Sequence, residues 1–210
     1  MRGALITVEG IEGSGKTTQC RLLAEWLTAQ GYRVRQTSEP DGTGLGEAVR
    51  AFFAKEGIAP TPLAEVFLFL AARQQHVAEV IRPALERSEV VLSDRYADGT
   101  LAYQGYGRGV DRHTIRELNT LATGGLQPDL TLLLDLPAED GIRRLAGRSL
   151  DAFERMELAF HERVRRGYRE IAREEKERVV LLRADQAVEA LQAEVRAAVE
   201  ELFRRRGVRA

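Results

Sequence analysis

A chain of 210 residues, 44% of them hydrophobic, can bury one substantial core and does not require two. Its 31 basic and 32 acidic side chains leave a net charge of −1, so no global positive field argues for nucleic acid. No apolar run approaches the roughly 20 residues needed to cross a bilayer, and the one cysteine, Cys20, has no partner for an intrachain disulfide, so a cytoplasmic protein away from membranes is expected.

The apolar run Ala4-Leu5-Ile6-Thr7-Val8 predicts a buried first strand. It leads into Gly10-Ile11-Glu12-Gly13-Ser14-Gly15-Lys16-Thr17, the G-x-x-x-x-G-K-[ST] pattern of a P-loop. Glycines there let successive backbone N–H groups face a phosphate, Lys16 reaches the outer phosphates, and Thr17 offers a hydroxyl to Mg2+. Thr18 to Gln30 reads as a helix whose N-terminus aims its partial positive charge at the same anion. With 28 arginines and only three lysines in the chain, Lys16 is an exception to its habit, and a compact ammonium suits a phosphate pocket. The pattern leaves the reaction open, because kinases, GTPases and motor ATPases share it.

Gly31 stops the first helix, and Tyr32 to Gln36 alternates as a second strand. Ser38-Glu39-Pro40-Asp41-Gly42-Thr43-Gly44 is dense in turn residues. It is either an ordinary connection or, at the C-terminal edge of an open sheet, part of a ligand site. Leu45 to Lys55 predicts a helix carrying Arg50, with Gly57, Pro60 and Pro62 ending the segment. From Leu63 to Pro83 runs a long helix, apolar on more than one face, suited to the core and in part to a partner subunit. Arg73 ends its apolar run and needs a carboxylate, a phosphate or a ligand carbonyl; His76 reads as a helix residue with a satisfied hydrogen bond.

Glu89 to Asp94 is a buried strand ending in an acid, followed by Arg95 and Tyr96. Such an ending can hold hydrated Mg2+ and a second phosphate, or it can be a surface Asp-Arg pair. Leu101 to Gly109 mixes aromatics with glycines, either to set a ring against a flat ligand or simply as a glycine-rich loop. Asp111 to Ala122 is a helix, and Leu130 to Asp135 a strand whose terminal acid rivals Asp94 for the metal; Asp94 is preferred for the arginine beside it. After a helix over Ala138 to Ala146, the stretch Gly147 to Arg155 breaks the pattern, with Arg143, Arg144, Arg148 and Arg155 around it. This is a solvated hairpin or a lid closing arginines over a transferring phosphoryl group. A long charged helix from Met156 to Glu175, a fifth strand from Arg178 to Arg183 and an amphipathic helix from Val188 to Arg206 complete the chain.

Alternating strands and helices with a P-loop on the first turn predict an α/β fold, a doubly wound parallel sheet covered on both faces. No Asn-Lys-x-Asp is present to read a guanine, so phosphoryl transfer to a small anionic acceptor fits better than a GTPase.

The chain resembles bacterial thymidylate kinase. The resemblance runs through Val8-Glu9-Gly10-Ile11-Glu12-Gly13, Glu39-Pro40, Phe69-Leu70-Ala71-Ala72-Arg73, Asp94-Arg95-Tyr96, Ala102 to Gly109, Pro128-Asp129-Leu130-Thr131, Phe160-His161 and Gly167-Tyr168. It implies a five-stranded P-loop kinase of nucleoside monophosphate kinase type, one domain over 1–210 with a lid at about 147–156. It also implies a homodimer packed partly through the long apolar helix, and the transfer of phosphate from MgATP to dTMP. By the same resemblance, Gly10 to Thr18 hold ATP, with Arg143 and Arg144 nearer the adenine and its phosphates. Thr17 and Asp94 orient Mg2+, Lys16 and Arg95 act at the reacting phosphates, and Arg148 supplies the transition-state arginine. Phe69 stacks on the thymine and Arg73 donates to a thymine carbonyl. Arg50 and Arg95 hold the acceptor phosphate, Glu12 approaches the sugar 3′-hydroxyl and Tyr103 lies under the sugar; Glu39, Pro40, Gly99 and Gln104 complete the acceptor pocket.

The chain departs from the family pattern at Ser38, where an arginine is usual, and at Asp41, where a glycine is usual, which bears on acceptor affinity. Gly99 replaces a polar residue, Leu70 a common Tyr, and the lid pattern becomes Phe153-Glu154-Arg155-Met156-Glu157. A kinase for dUMP or a related pyrimidine nucleotide, or a nucleotide-binding module with weak turnover, are the alternatives.

Overall fold

The computed structural model describes residues 3–55, 58–145, 153–154 and 156–207. Of the expected lid only Phe153, Glu154 and Met156 fall among these; Arg148 and Arg155 lie outside them. Five strands, β1 (Ala4–Glu9), β2 (Val34–Ser38), β3 (Val90–Asp94), β4 (Leu130–Asp135) and β5 (Val179–Arg183), form one parallel sheet in the order β2-β3-β1-β4-β5. β1, β3 and β4 are apolar almost throughout because helices cover both faces of the sheet. The register sets Val8, Asp94 and Ser38 side by side, so the strand ends that carry the P-loop, the acid-arginine pair and the Glu39-Pro40 turn lie at one edge.

Helices α1 (Lys16–Ala29) and α9 (Val188–Arg206) pack on each other, burying Leu23, Leu27, Val195 and Val199. Cys20 lies in the same layer as a fully buried small hydrophobe. β2 starts two residues later than the alternation in the sequence suggests. The Gly31 and Tyr32 amides still bond to Thr28 and Leu27 carbonyls, and the Tyr32 ring packs on Phe203 at 4.8 Å, so the chain straightens only afterwards.

On the other side lie α2 (Gly44–Ala54) and α3 (Pro62–His76), capped by Thr43 and Thr61, whose hydroxyls accept from Gly46 and Ala64 amides. The long apolar helix extends past its expected end at Pro83: a π-helical turn at Val77–Ile81 leads into α4 (Arg82–Glu86), so the proline lies just after a local change of helical winding and not at a helix stop. The aromatic-glycine stretch is helical rather than a loop. After the short α5 (Ala97–Thr100) it winds as a π-helix over Leu101–Gly107. Gly107 serves close packing there, since a Cβ would lie 2.7 Å from the Phe160 ring. The remaining helices are α6 (Arg112–Thr123), capped by Asp111, α7 (Ala138–Leu145) and α8 (Leu158–Glu174).

Candidate active site

A cavity of about 700 Å3 opens at the strand edge described above. One end is the P-loop. Gly15 adopts φ 92°, a left-handed conformation that a side chain would strain, and Lys16 folds back so that Nζ donates to the Ile11 carbonyl at 2.7 Å. Burial first, and the nearby Arg95 cation second, push the Lys16 ammonium down to about 8. Glu12, Gly13, Gly15, Lys16, Thr17 and Thr18 line the cavity; Gly10, Ile11 and Ser14 belong to the loop but not to its lining. α7 sits directly on this loop: a Cβ on Gly141 would lie 2.5 Å from the Glu12 carbonyl oxygen, and one on Gly13 would lie 2.4 Å from that of Gly141. From α7, Arg144 donates to the Gly13 carbonyl at 3.2 Å and lines the cavity, whereas Arg143 turns to the surface and pairs with Asp140 at 2.9 Å.

The end of β3 meets the P-loop as the spacing suggests. The Thr17 hydroxyl donates to Asp94 Oδ2 at 2.7 Å, which places two hard oxygen donors together beside Lys16. Asp135, the rival acid, is taken by Arg165, whose Nε and Nη2 donate to its two oxygens at 2.8 and 3.1 Å. Arg95 stands in the left-handed region at φ 73°, with its amide donating to Val8 O and its carbonyl accepting from the Ser93 hydroxyl. Its guanidinium donates to Glu12 Oε1 at 2.8 Å and lies 5.0 Å above the Tyr103 ring, and the Tyr103 hydroxyl donates to the same Glu12 oxygen at 2.5 Å. Burial raises Glu12, but His161, Arg95, Lys16 and Tyr103 together outweigh it and hold the carboxyl well below the usual range.

Three features here carry no local signal beyond an acid closing an apolar strand, although Glu9, His161 and Tyr168 all fall in stretches that carry the family resemblance. Glu9, fully buried at the end of β1, accepts from the Tyr96 amide at 2.7 Å, the Gly99 amide at 3.2 Å and the Tyr168 hydroxyl at 2.8 Å, so it holds the turn behind Arg95. Burial, and then the neighbouring Asp98, push its carboxyl up to about 7. Asp98 itself is gripped by the Arg178 Nη1 and Nη2 atoms at 2.7 and 2.8 Å. His161 on α8 reaches Glu12, with its Nδ1 3.4 Å from Glu12 Oε2.

The far end of the cavity is aromatic and lies under α2 and α3. Phe69 lines it, its ring stacked on Phe53 at 4.9 Å and 7°, and Phe153 packs against both at 5.9 and 5.4 Å. The carboxylate that Arg73 requires is Glu39: Nη2 lies 2.7 Å and Nε 2.8 Å from its Oε2, while Thr100, Asn119 and the Tyr96 carbonyl take the other donors. Glu39 Oε1 meets His76 Nδ1 at 3.2 Å, and the other His76 nitrogen meets the Thr37 hydroxyl at 2.7 Å. Arg50 Nε lies 2.5 and 2.6 Å from the two oxygens of Asp41, and both residues line the cavity with Ser38. Pro40, Gly99 and Gln104 also line it, with the Gln104 amide donating to Glu65 at 3.2 Å.

Comparison with known proteins agrees with this arrangement. The family model described as thymidylate kinase matches residues 8–195. A thymidylate kinase of Desulfovibrio desulfuricans is 51% identical over 96% of this chain and 97% of its own, and one of Geotalea uraniireducens is 47% identical over 94% and 96%. The crystal structure of a thymidylate kinase from Ehrlichia chaffeensis superposes with a TM-score of 0.79 at 34% identity, covering 95% of this chain and all of that one.

Proposed function

This chain belongs to the thymidylate kinase family, and on that premise we propose that it transfers the γ-phosphoryl group of ATP to dTMP, giving ADP and dTDP for dTTP synthesis. The observation that carries the reading is that one cavity joins a P-loop, with Lys16 and Thr17, to an aromatic recess lined by Phe69 and Tyr103, with Arg95 between them.

In this reading the donor phosphates lie on the backbone N–H groups of Gly10 to Thr18, with Arg144 at the side and Lys16 released from the Ile11 carbonyl to meet them. Arg143 serves only from the rim, given its surface pairing with Asp140. Thr17 and Asp94 form an oxygen donor pair suited to Mg2+, which binds through few protein oxygens and keeps phosphate and water for the rest. When bound, that ion would neutralise charge on the donor phosphates. Arg95 and Arg50 hold the acceptor phosphate, and Arg148 acts at the transferring group. Phe69 takes the thymine, with Arg73, Glu39, Pro40, Gly99 and Gln104 around the base. Glu12 and Tyr103 address the sugar. Glu12 suits a hydroxyl donor, since it is a carboxylate in the cavity wall and a carboxylate only accepts.

A single domain over 1–210 with its lid at about 147–156 belongs to the same reading, supported by Phe153 and Glu154 in the cavity wall. So does a homodimer packed through the outer face of α3, where Phe67 is 53% exposed and Leu63 43%. A cytoplasmic setting is supported by the substrate class and by the lone, buried Cys20.

The test is ADP release from MgATP by the purified protein, with dTMP, dUMP, UMP, dCMP and AMP offered singly and an acceptor-free control. Stimulation by dTMP above the others is expected. Preference for another monophosphate would reassign the acceptor, and no stimulation by any of them would leave only nucleotide binding.

A further inference from the structure

Glu12 is held at one oxygen by two donors and buried against a single histidine at the other. Its Oε1 accepts from Tyr103 and Arg95, but Oε2 has no hydrogen-bond partner among the described residues and faces only His161 Nδ1, at 3.4 Å. His161 is 1% exposed, its ring edge-on to Phe160 at 5.5 Å, and its Nε2 also has no partner among the described residues. The tautomer with its proton on Nδ1 is the one able to donate to Glu12, and it leaves Nε2 as a bare acceptor, the less costly group to bury unpaired. A carboxylate anchored through one oxygen can still swing about its Cγ–Cδ bond, and the imidazole is the group that opposes the swing.

We propose that His161 is a positioning residue, fixing the plane of the Glu12 carboxylate from the buried Oε2 side so that Glu12, in the cavity wall, is held in place toward a hydroxyl of the acceptor sugar. This rests on the kinase reading above. His161 touches no substrate in it; the effect passes through Glu12. Its position on α8 also links that helix to the P-loop, since Glu12 is part of both the loop and the cavity wall.

The experiment compares dTMP with its 3′-deoxy analogue as acceptors for wild-type enzyme, His161→Leu and His161→Asn. The asparagine amide nitrogen overlays Nδ1 and can still donate to Glu12. In His161→Leu the KM for dTMP should rise and the preference for dTMP over the deoxy analogue should fall by about tenfold, with kcat on the analogue little changed. His161→Asn should retain the preference to within about twofold. If the leucine variant does not fold, His161→Gln, whose amide overlays Nε2, replaces it and should lose the preference likewise. Equal losses on both acceptors, or leucine and asparagine variants that behave alike, would overturn the positioning role while leaving the kinase reading intact. A wild-type enzyme that dTMP does not stimulate would overturn the kinase reading itself, and this inference with it.

Discussion

Replacing Glu9 by glutamine should stabilise the protein above neutral pH, although the carboxyl it removes accepts three hydrogen bonds. Burial lifts Glu9 from its ordinary value of 4.5 to about 7, with Asp98 adding to the shift. Between those values the folded chain keeps a proton that the unfolded chain has lost, so stability falls as pH rises from about 4.5 through about 7 and is then level. That rise in the Glu9 carboxyl corresponds to about 3 kcal/mol, of which about 2 kcal/mol is lost between pH 5.5 and 8.5. Glutamine carries no such penalty. Its carbonyl can accept from the Tyr96 and Gly99 amides, and its amide can donate to the Tyr168 oxygen, so the turn behind Arg95 keeps its support. Thermal melts of wild type and Glu9→Gln across this pH range should therefore diverge, the variant gaining about 4–8 °C on the wild type by pH 8.5. Parallel pH profiles would refute the argument, since they would mean that Glu9 is ionised at the same pH whether folded or not.

Lys16, held at about 8, should make ATP binding weaken as pH rises through that value, because the protonated amine is the form that meets phosphate. Calorimetry near pH 8.5 in buffers of different ionisation enthalpy should show proton uptake on binding, and its absence would place the amine elsewhere. Asp41→Gly should free Arg50 from its two contacts and lower the KM for the acceptor severalfold, most at low salt; a raised KM would mean that Asp41 orients Arg50 instead of competing for it. Arg95→Ala should reduce kcat/KM for the acceptor by at least about a hundredfold, as a charge-assisted phosphate contact at the reacting centre is removed. Steady-state kinetics checks this, and an unchanged value would take Arg95 out of the site.

The P-loop, the order of strands and helices and the placing of Asp94-Arg95 at a strand end were legible in the chain. Each is written in a short stretch: glycines at set spacing, an apolar run with its terminal acid, a cap before a helix. The resemblance to the thymidylate kinases added roles for Phe69, Tyr103 and Glu12 that no local pattern supplies. Local reading failed where packing overrides propensity. Gly105 and Gly107 suggest a loop, yet the segment coils as a π-helix because α8 approaches it closely, and β2 slides two residues because Tyr32 is claimed by Phe203. The partners of Asp94 and Asp135 were likewise tertiary: the first meets Thr17 and the second Arg165.

The sequence by itself determined which groups could bind a phosphate and roughly where along the chain they fall, since those depend on neighbours a few residues apart. Only the tertiary structure decided their partners. Glu9 with Tyr168, Glu12 with His161, Arg73 with Glu39 and Arg50 with Asp41 join residues that the sheet order and helix packing bring together, three of the four pairs across large gaps in sequence. Those partners fix the orientation of each group, and at Glu9 and Glu12 the surroundings also set the carboxyl's charge, because in a buried site neighbouring charges and lost water outweigh a side chain's intrinsic tendency.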